Sequence, residues 1–178
     1  MMELRDLERR EMGAAPLADF DTFLRETFVV VARAAALVAR DPEAGQDLAQ
    51  EAFFRLHERW RRMESAEHAR RFAFRVAINL ARSHVRKYLR VTLAGLELGG
   101  HEPAQVAQVD DWLSIRAALG GISPRQRSAV VLVDYVGMEA GEAAEVLGIS
   151  PGTVRAHLMR GRRGMRKGLG LTEPEGSE

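Results

Sequence analysis

The sequence predicts an all-α fold of two small helical domains joined by a flexible linker, and three observations lead there. Apolar residues recur at helical spacing through most of the 178 residues. No strand pattern appears anywhere, and Asp-Pro or Ser-Pro steps stand where a new helical period begins.

Residues 1–16 are mixed in charge and lack a sustained apolar face, which predicts a frayed helix or an arm. From Leu17 to Arg40 the residues Phe20, Phe23, Leu24, Thr27, Phe28, Val31, Ala34, Ala35 and Val38 share one helical face. Asp41-Pro42 ends that helix and starts the next, with Asp41 as N-cap and Pro42 in the first turn. The second helix is expected over about 43–62, burying Leu48, Ala52, Phe53, Leu56 and Trp60. Ser65 caps a third, which runs to about Arg90 through Phe72, Val76, Ile78, Leu80, Val85 and Leu89. Residues 91–109 contain Gly95, Gly99, Gly100 and Pro103 without Lys or Arg, the composition of a linker. Four short helices follow, at about 110–120, 124–136, 139–147 and 151–167, and then an acidic tail at 169–178. Ser123-Pro-Arg-Gln126 is a capping box, Ser150-Pro151 repeats the Ser-Pro start, and Gly148 is placed to end a helix in the left-handed conformation.

Composition removes several kinds of chemistry. The absence of cysteine excludes disulfides, thiolate metal sites and a cysteine nucleophile. The five histidines (His57, His68, His84, His101, His157) are dispersed singly, and no Gly-rich phosphate loop or catalytic triad is visible. The expectation is therefore a protein that is not an enzyme, with no catalytic residue, no metal and no cofactor. No apolar run approaches the roughly 20 residues that span a bilayer, so a soluble, cytoplasmic protein without membrane insertion is expected.

The net charge of +1 conceals a block pattern: residues 55–90 carry +8 and residues 155–167 carry +6, each flanked by acidic stretches. Two basic blocks, each on one helix, can hold a polyanion at two places. The first interleaves Arg59, Arg61, Arg62, Arg70, Arg71, Arg75, Arg82, Arg86, Lys87 and Arg90 with Trp60, Phe72, Phe74 and Tyr88, which suits a single strand whose bases stack. Trp60 and Phe72 also read as core. Asn79 is either a base-reading amide or a surface residue of the basic face.

The second block belongs to a sharper pattern, Glu142-Ala-Ala-Glu-Val-Leu-Gly-Ile-Ser-Pro-Gly-Thr-Val-Arg-Ala-His-Leu158. Ala144 lets two helices cross closely and Gly148 makes the turn. Leu147, Ile149, Val154 and Leu158 are expected to fill the wedge between them. This is helix-turn-helix spacing, in which the second helix enters the major groove by its N-terminal residues. That helix presents Thr153, Arg155, His157, Arg160, Arg162 and Arg163 with no acid among them. The earlier side chains are placed for base edges and the later ones for phosphates.

On these residues the chain resembles the extracytoplasmic-function (group 4) sigma factors of bacterial RNA polymerase, over about 18–90 and 110–168. Asp41-Pro-Glu-Ala-Gly-Gln-Asp47-Leu-Ala-Gln50-Glu51-Ala-Phe-Phe-Arg55-Leu56 is similar to the family's region 2.1–2.2. The resemblance implies that Asp47, Gln50, Glu51 and Arg55 bind the clamp helices of the polymerase β′ subunit. Phe72 to Lys87 resembles region 2.3–2.4, which implies that Arg71, Arg75, Asn79, Arg82, Arg86 and Lys87, with the loop from Met63 to Ala69, engage the melted minus-ten element. The helix-turn-helix resembles region 4. Thr153, Arg155, His157, Arg160, Arg162 and Arg163 would then read minus-thirty-five DNA, and that unit would also touch the β flap. An anti-sigma factor is a further partner the family implies. His157 stands where the family often has Arg. Gly137, Gly141 and Ala143 replace bulkier residues or better helix formers, which predicts a short or loosely packed first helix of the pair. The runner-up is a LuxR-type helix-turn-helix regulator acting without polymerase, but 17–90 shows none of the alternating strands and helices of a receiver domain.

Overall fold

The computed structural model describes residues 19–93 and 109–171, and every regular element among them is helical. The expected arm (1–16), nearly all of the linker and most of the acidic tail lie outside the described residues. The first half comprises α1 (Phe20–Ala39), α2 (Pro42–His57) and α3 (Ala66–Leu93). The second comprises α4 (Val109–Gly120), α5 (Pro124–Val130), α6 (Ala140–Leu147) and α7 (Pro151–Gly168).

Side-chain caps set the helix starts. Asp19 accepts hydrogen bonds from the amides of Asp21 (3.1 Å) and Thr22 (3.3 Å). Asp41 Oδ1 accepts from Glu43 N and Ala44 N, both at 3.1 Å. Ser65, Ser123 and Ser150 accept from His68 N, Gln126 N and Thr153 N, and Gln126 Oε1 accepts in return from Ser123 N. Each of these satisfies amides that a helix leaves unpaired at its first turn.

Helix ends and faces differ in places from expectation. α2 stops at His57, and Trp60–Arg62 form a separate 3-10 turn. That break brings the Trp60 ring edge-on to Phe20 at 5.1 Å and within 5.2 Å of Phe23. Ala66 to Ala69 form the first turn of α3, as the Ser65 cap predicts, which leaves only residues 63–65 of the expected Met63–Ala69 loop outside the helix. The deep face of α3 is Ala69, Ala73, Phe74, Ala77, Ile78 and Ala81, whereas Phe72, Val76, Leu80 and Val85 are half-buried on its flanks. An alanine every four residues allows close approach to α1, so small side chains took the centre that the larger ones were expected to fill. Gly45 serves the same end between α1 and α2, because a Cβ there would lie 2.8 Å from the Ala32 carbonyl oxygen. Phe23, Val31, Val38, Phe53 and Leu56 complete this core.

In the second half α5 gives way at Val131–Tyr135 to a wider π-helical turn, where a continuous helix to 136 was expected. α6 is short, as expected, and Glu142 caps it by accepting from Glu139 N at 3.0 Å. α7 packs on α5 through Gly161, where a Cβ would meet Val130 Cγ2 at 2.7 Å, and on α4 through Gly168, against Ala118.

The two halves are packed together, and their buried residues form one continuous cluster. The buried Arg127 guanidinium links them. It donates to Leu119 O (2.8 Å) and Ile122 O (3.2 Å) in its own half and to Val38 O (3.0 Å) at the end of α1. Among the described residues no helix is long and apolar enough to cross a membrane, and no cluster of potential metal ligands is present.

Candidate nucleic-acid interface

The expected helix-turn-helix is formed by α6 and α7. Gly148 adopts φ 66°, a conformation that costs glycine nothing and closes the turn, and Ile149 N returns to Ala144 O at 3.2 Å. Val154 and Leu158 fill the wedge, with Ala144 buried between the helices. Ile149 does not: it is exposed, because the Gly148 turn directs residue 149 outward.

α7 exposes Thr153, Arg155, Arg160, Arg162 and Arg163 and half-buries His157. Thr153 Oγ1 lies 2.8 Å from Ser150 Oγ. Arg162 is held by Asp134, its Nε 3.1 Å from Oδ2, so this cation is engaged within the half. Met159, 67% exposed and one turn from Arg155 and Arg163, adds an apolar contact to the face that the sequence reading passed over. Its i+4 spacing from Arg155 was the available signal.

On α3 the residues Arg71, Arg75, Asn79, Arg82 and Arg86 follow one another at intervals of four, four, three and four, with Lys87 beside them. They form one stripe. Arg75, Asn79, Arg86 and Lys87 are exposed, and Arg71 and Arg82 are half-buried. Arg86 donates to Ser83 Oγ at 2.8 Å. Of the interleaved aromatics, Trp60 and Phe72 pack against the core and Phe74 is fully buried. Arg59 and Arg70 lie over the rings of Phe72 and Phe74, at 5.4 and 5.6 Å.

On α2, Asp47, Gln50, Glu51 and Arg55 are exposed along one helical face, and Arg55 Nε pairs with Glu51 Oε1 at 2.7 Å. Phe54, 62% exposed, lies on the same face. Its place at i+3 and i+4 from Glu51 and Gln50 sets it there.

The two basic faces meet at the seam between the halves. Arg82 on α3, Arg125 on α5 and His157 with Arg160 on α7 lie within one another's electrostatic reach. Burial first, and then Arg160, Arg125 and Arg82, push the His157 pKa below its ordinary value. Its Nδ1 is buried without a hydrogen-bond partner in the described structure. Burial, Arg125 and Arg86 likewise lower Arg82.

A basic helix-turn-helix beside a second helix striped with arginine and asparagine defines an all-α nucleic-acid-binding protein. The sigma-70 region 2 family matches residues 25–91 and the sigma-70 region 4 family matches 112–165. The chain is 31% identical over 153 residues to the RNA polymerase sigma-E factor of Streptomyces coelicolor, covering 85% of this chain and 86% of that one. It is 27% identical over 151 residues to the ECF RNA polymerase sigma factor SigM of Mycobacterium tuberculosis, covering 85% and 77%. It therefore belongs to the extracytoplasmic-function sigma factors of the sigma-70 family. Its fold is also that of the Bartonella quintana sigma factor RpoE solved with the anti-sigma factor NepR. There the TM-score is 0.75 at 21% identity, covering 88% of this chain and all of that one.

Proposed function

We propose that this protein is an alternative sigma factor that binds core RNA polymerase and directs promoter recognition and transcription initiation. One observation carries the reading: a single chain joins the α3 stripe and the α7 recognition helix, and each falls within a sigma-70 family match. In this reading Arg71, Arg75, Asn79, Arg82, Arg86 and Lys87 hold the melted minus-ten strand. Thr153, Arg155, His157, Arg160 and Arg163 face minus-thirty-five duplex, and Arg162 steadies that helix through Asp134. Asp47, Gln50, Glu51 and Arg55, together with Phe54, dock on the β′ clamp helices, and the second half reaches the β flap. Melting draws on capture of unpaired bases and neutralisation of phosphates, so the protein performs no chemistry of its own. It acts in the cytoplasm, where the polymerase is. An anti-sigma factor is the natural further partner, since RpoE was solved with NepR and CnrH with the cytosolic domain of CnrY.

Co-migration with purified core polymerase in gel filtration, followed by promoter-specific run-off transcription, tests this. Association and discrete transcripts are expected. A protein that binds duplex DNA alone and gives neither is a stand-alone regulator of the LuxR kind.

A further inference from the structure

We propose, building on the promoter-binding role above, that Glu145 is an internal competitor for promoter DNA. It latches the α6–α7 hairpin onto α3 and occupies Arg71 and Arg75 until the two halves part.

The geometry of the latch is specific. Arg71 Nε lies 3.0 Å from Glu145 Oε2, and Arg75 donates to the Glu145 backbone oxygen at 2.7 Å. The two arginines are one helical turn apart, and both meet acceptors of one residue some 70 positions further along the chain. That backbone oxygen belongs to the last turn of α6, whose final carbonyls lack partners within the helix and carry its negative dipole end. A carboxylate and an unpaired carbonyl thus offer this arginine pair what two phosphate oxygens would offer. Glu145 does no other visible work: the cap of α6 is supplied by Glu142, and the Glu145 side chain is exposed apart from this contact.

The latch closes against an opposing force. Elsewhere on the seam Arg82 of the first half faces Arg125 of the second, so closure brings two like charges together, while the depressed pKa of His157 leaves it neutral there. Arg127, bonded to Val38 O, supports closure from the other side. The charge at position 145 therefore adds to a closure that the shared apolar cluster and Arg127 also hold, and DNA, which needs Arg71 and Arg75, selects the open arrangement.

The chain has no cysteine, so Glu26→Cys and Lys167→Cys, both at exposed positions, give one label pair that spans the halves. Spin-label distances in the free full-length protein should be short and narrowly distributed. Glu145→Arg should lengthen and broaden them, and adding Arg71→Glu to that variant should return them to the short value. In the Glu145→Arg protein, affinity for a fluorescent single-stranded oligonucleotide should rise about three- to tenfold, the range an exposed ion pair turned into repulsion supports. Helix content by circular dichroism checks folding; if Glu145→Arg loses it, Glu145→Gln is judged by the same two readings. An extended wild type, or unchanged distances and affinity in a folded variant, overturns the latch. Run-off transcription separates the two ideas. A latch that fails beside intact promoter-specific transcription leaves the sigma reading standing, whereas a latch that holds in a protein ignoring polymerase removes the sigma reading.

Discussion

At Arg127 a guanidinium only 3% exposed sits among three backbone carbonyls. Burial and the nearby Arg40 lower its pKa to about 10, which leaves it charged at neutral pH. Arg127→Met keeps much of the volume but strands the three acceptors, which should destabilise the protein by about 2–4 kcal/mol. A lower urea midpoint at unchanged slope checks this. Nothing in the sequence marks Arg127, since one arginine in an Arg-rich stretch looks like any other until tertiary packing buries it. His157 gives a pH test with a definite sign. Its folded pKa is depressed, chiefly by burial and then by Arg160, Arg125 and Arg82, so the unfolded chain takes up the proton first. Its contribution is complete above about pH 6.5, the ordinary histidine value, and is lost as pH falls from there through the folded pKa. The stability difference between wild type and His157→Gln, read from urea unfolding at several pH values, should shift against the wild type over that interval. A constant difference contradicts the shift.

Among the helices, the starts and the packing faces of α1 and α2 were readable, and the face of α3 was not. Asp41, Ser65, Ser123 and Ser150 act on amides two or three residues away, so local sequence determines the caps. Which face of α3 turns inward depends on the partner helix, and there four alanines displaced the larger residues that periodicity favoured. The glycines of α7 went unread for the same reason, since their purpose lies in α4 and α5. Gly161→Leu should drive a side chain into Val130 and the Gln126 backbone and cost about 3 kcal/mol, visible as a fall in the thermal midpoint. Gly141, on α6 with open space around its Cα, is the converse. Gly141→Ala should raise stability by about 0.5–1 kcal/mol in the same measurement, through helix propensity alone. Of the candidate site, the arginine stripe and the recognition helix were visible in the sequence, but the Asp134–Arg162 pair was not, because its partners are 28 residues apart. Arg155 is exposed on the first turns of α7. Arg155→Ala should weaken minus-thirty-five duplex recognition by about 1–3 kcal/mol. Run-off initiation at a cognate promoter would fall accordingly, and unchanged initiation would misplace the recognition helix.

The linker composition suggested two independent bodies, yet the described residues form one packed unit. The bonds that join them, Arg127 to Val38 O and Arg71 and Arg75 to Glu145, involve no motif of their own and span 70 residues or more. In the proposed reading the halves part to place two DNA contacts, and the exposed face of α2, which the seam leaves clear, is the surface on which polymerase would act to spread them. Asp47→Ala with Glu51→Ala discharges that face. The only described bond lost is the exposed Glu51–Arg55 pair, and such pairs are worth about 0.3–0.5 kcal/mol on a helix, so the thermal midpoint should barely move. Binding of free protein to a single-stranded oligonucleotide should also be unchanged, because α3 and α7 are untouched. Affinity for core polymerase should fall about tenfold or more, the effect of losing two charged contacts worth at least about 1.4 kcal/mol together. Transcription at limiting polymerase would drop with it and return as polymerase is raised, by mass action. If excess polymerase fails to restore transcription, the double substitution has damaged promoter opening itself, and the acidic face of α2 is not the docking surface.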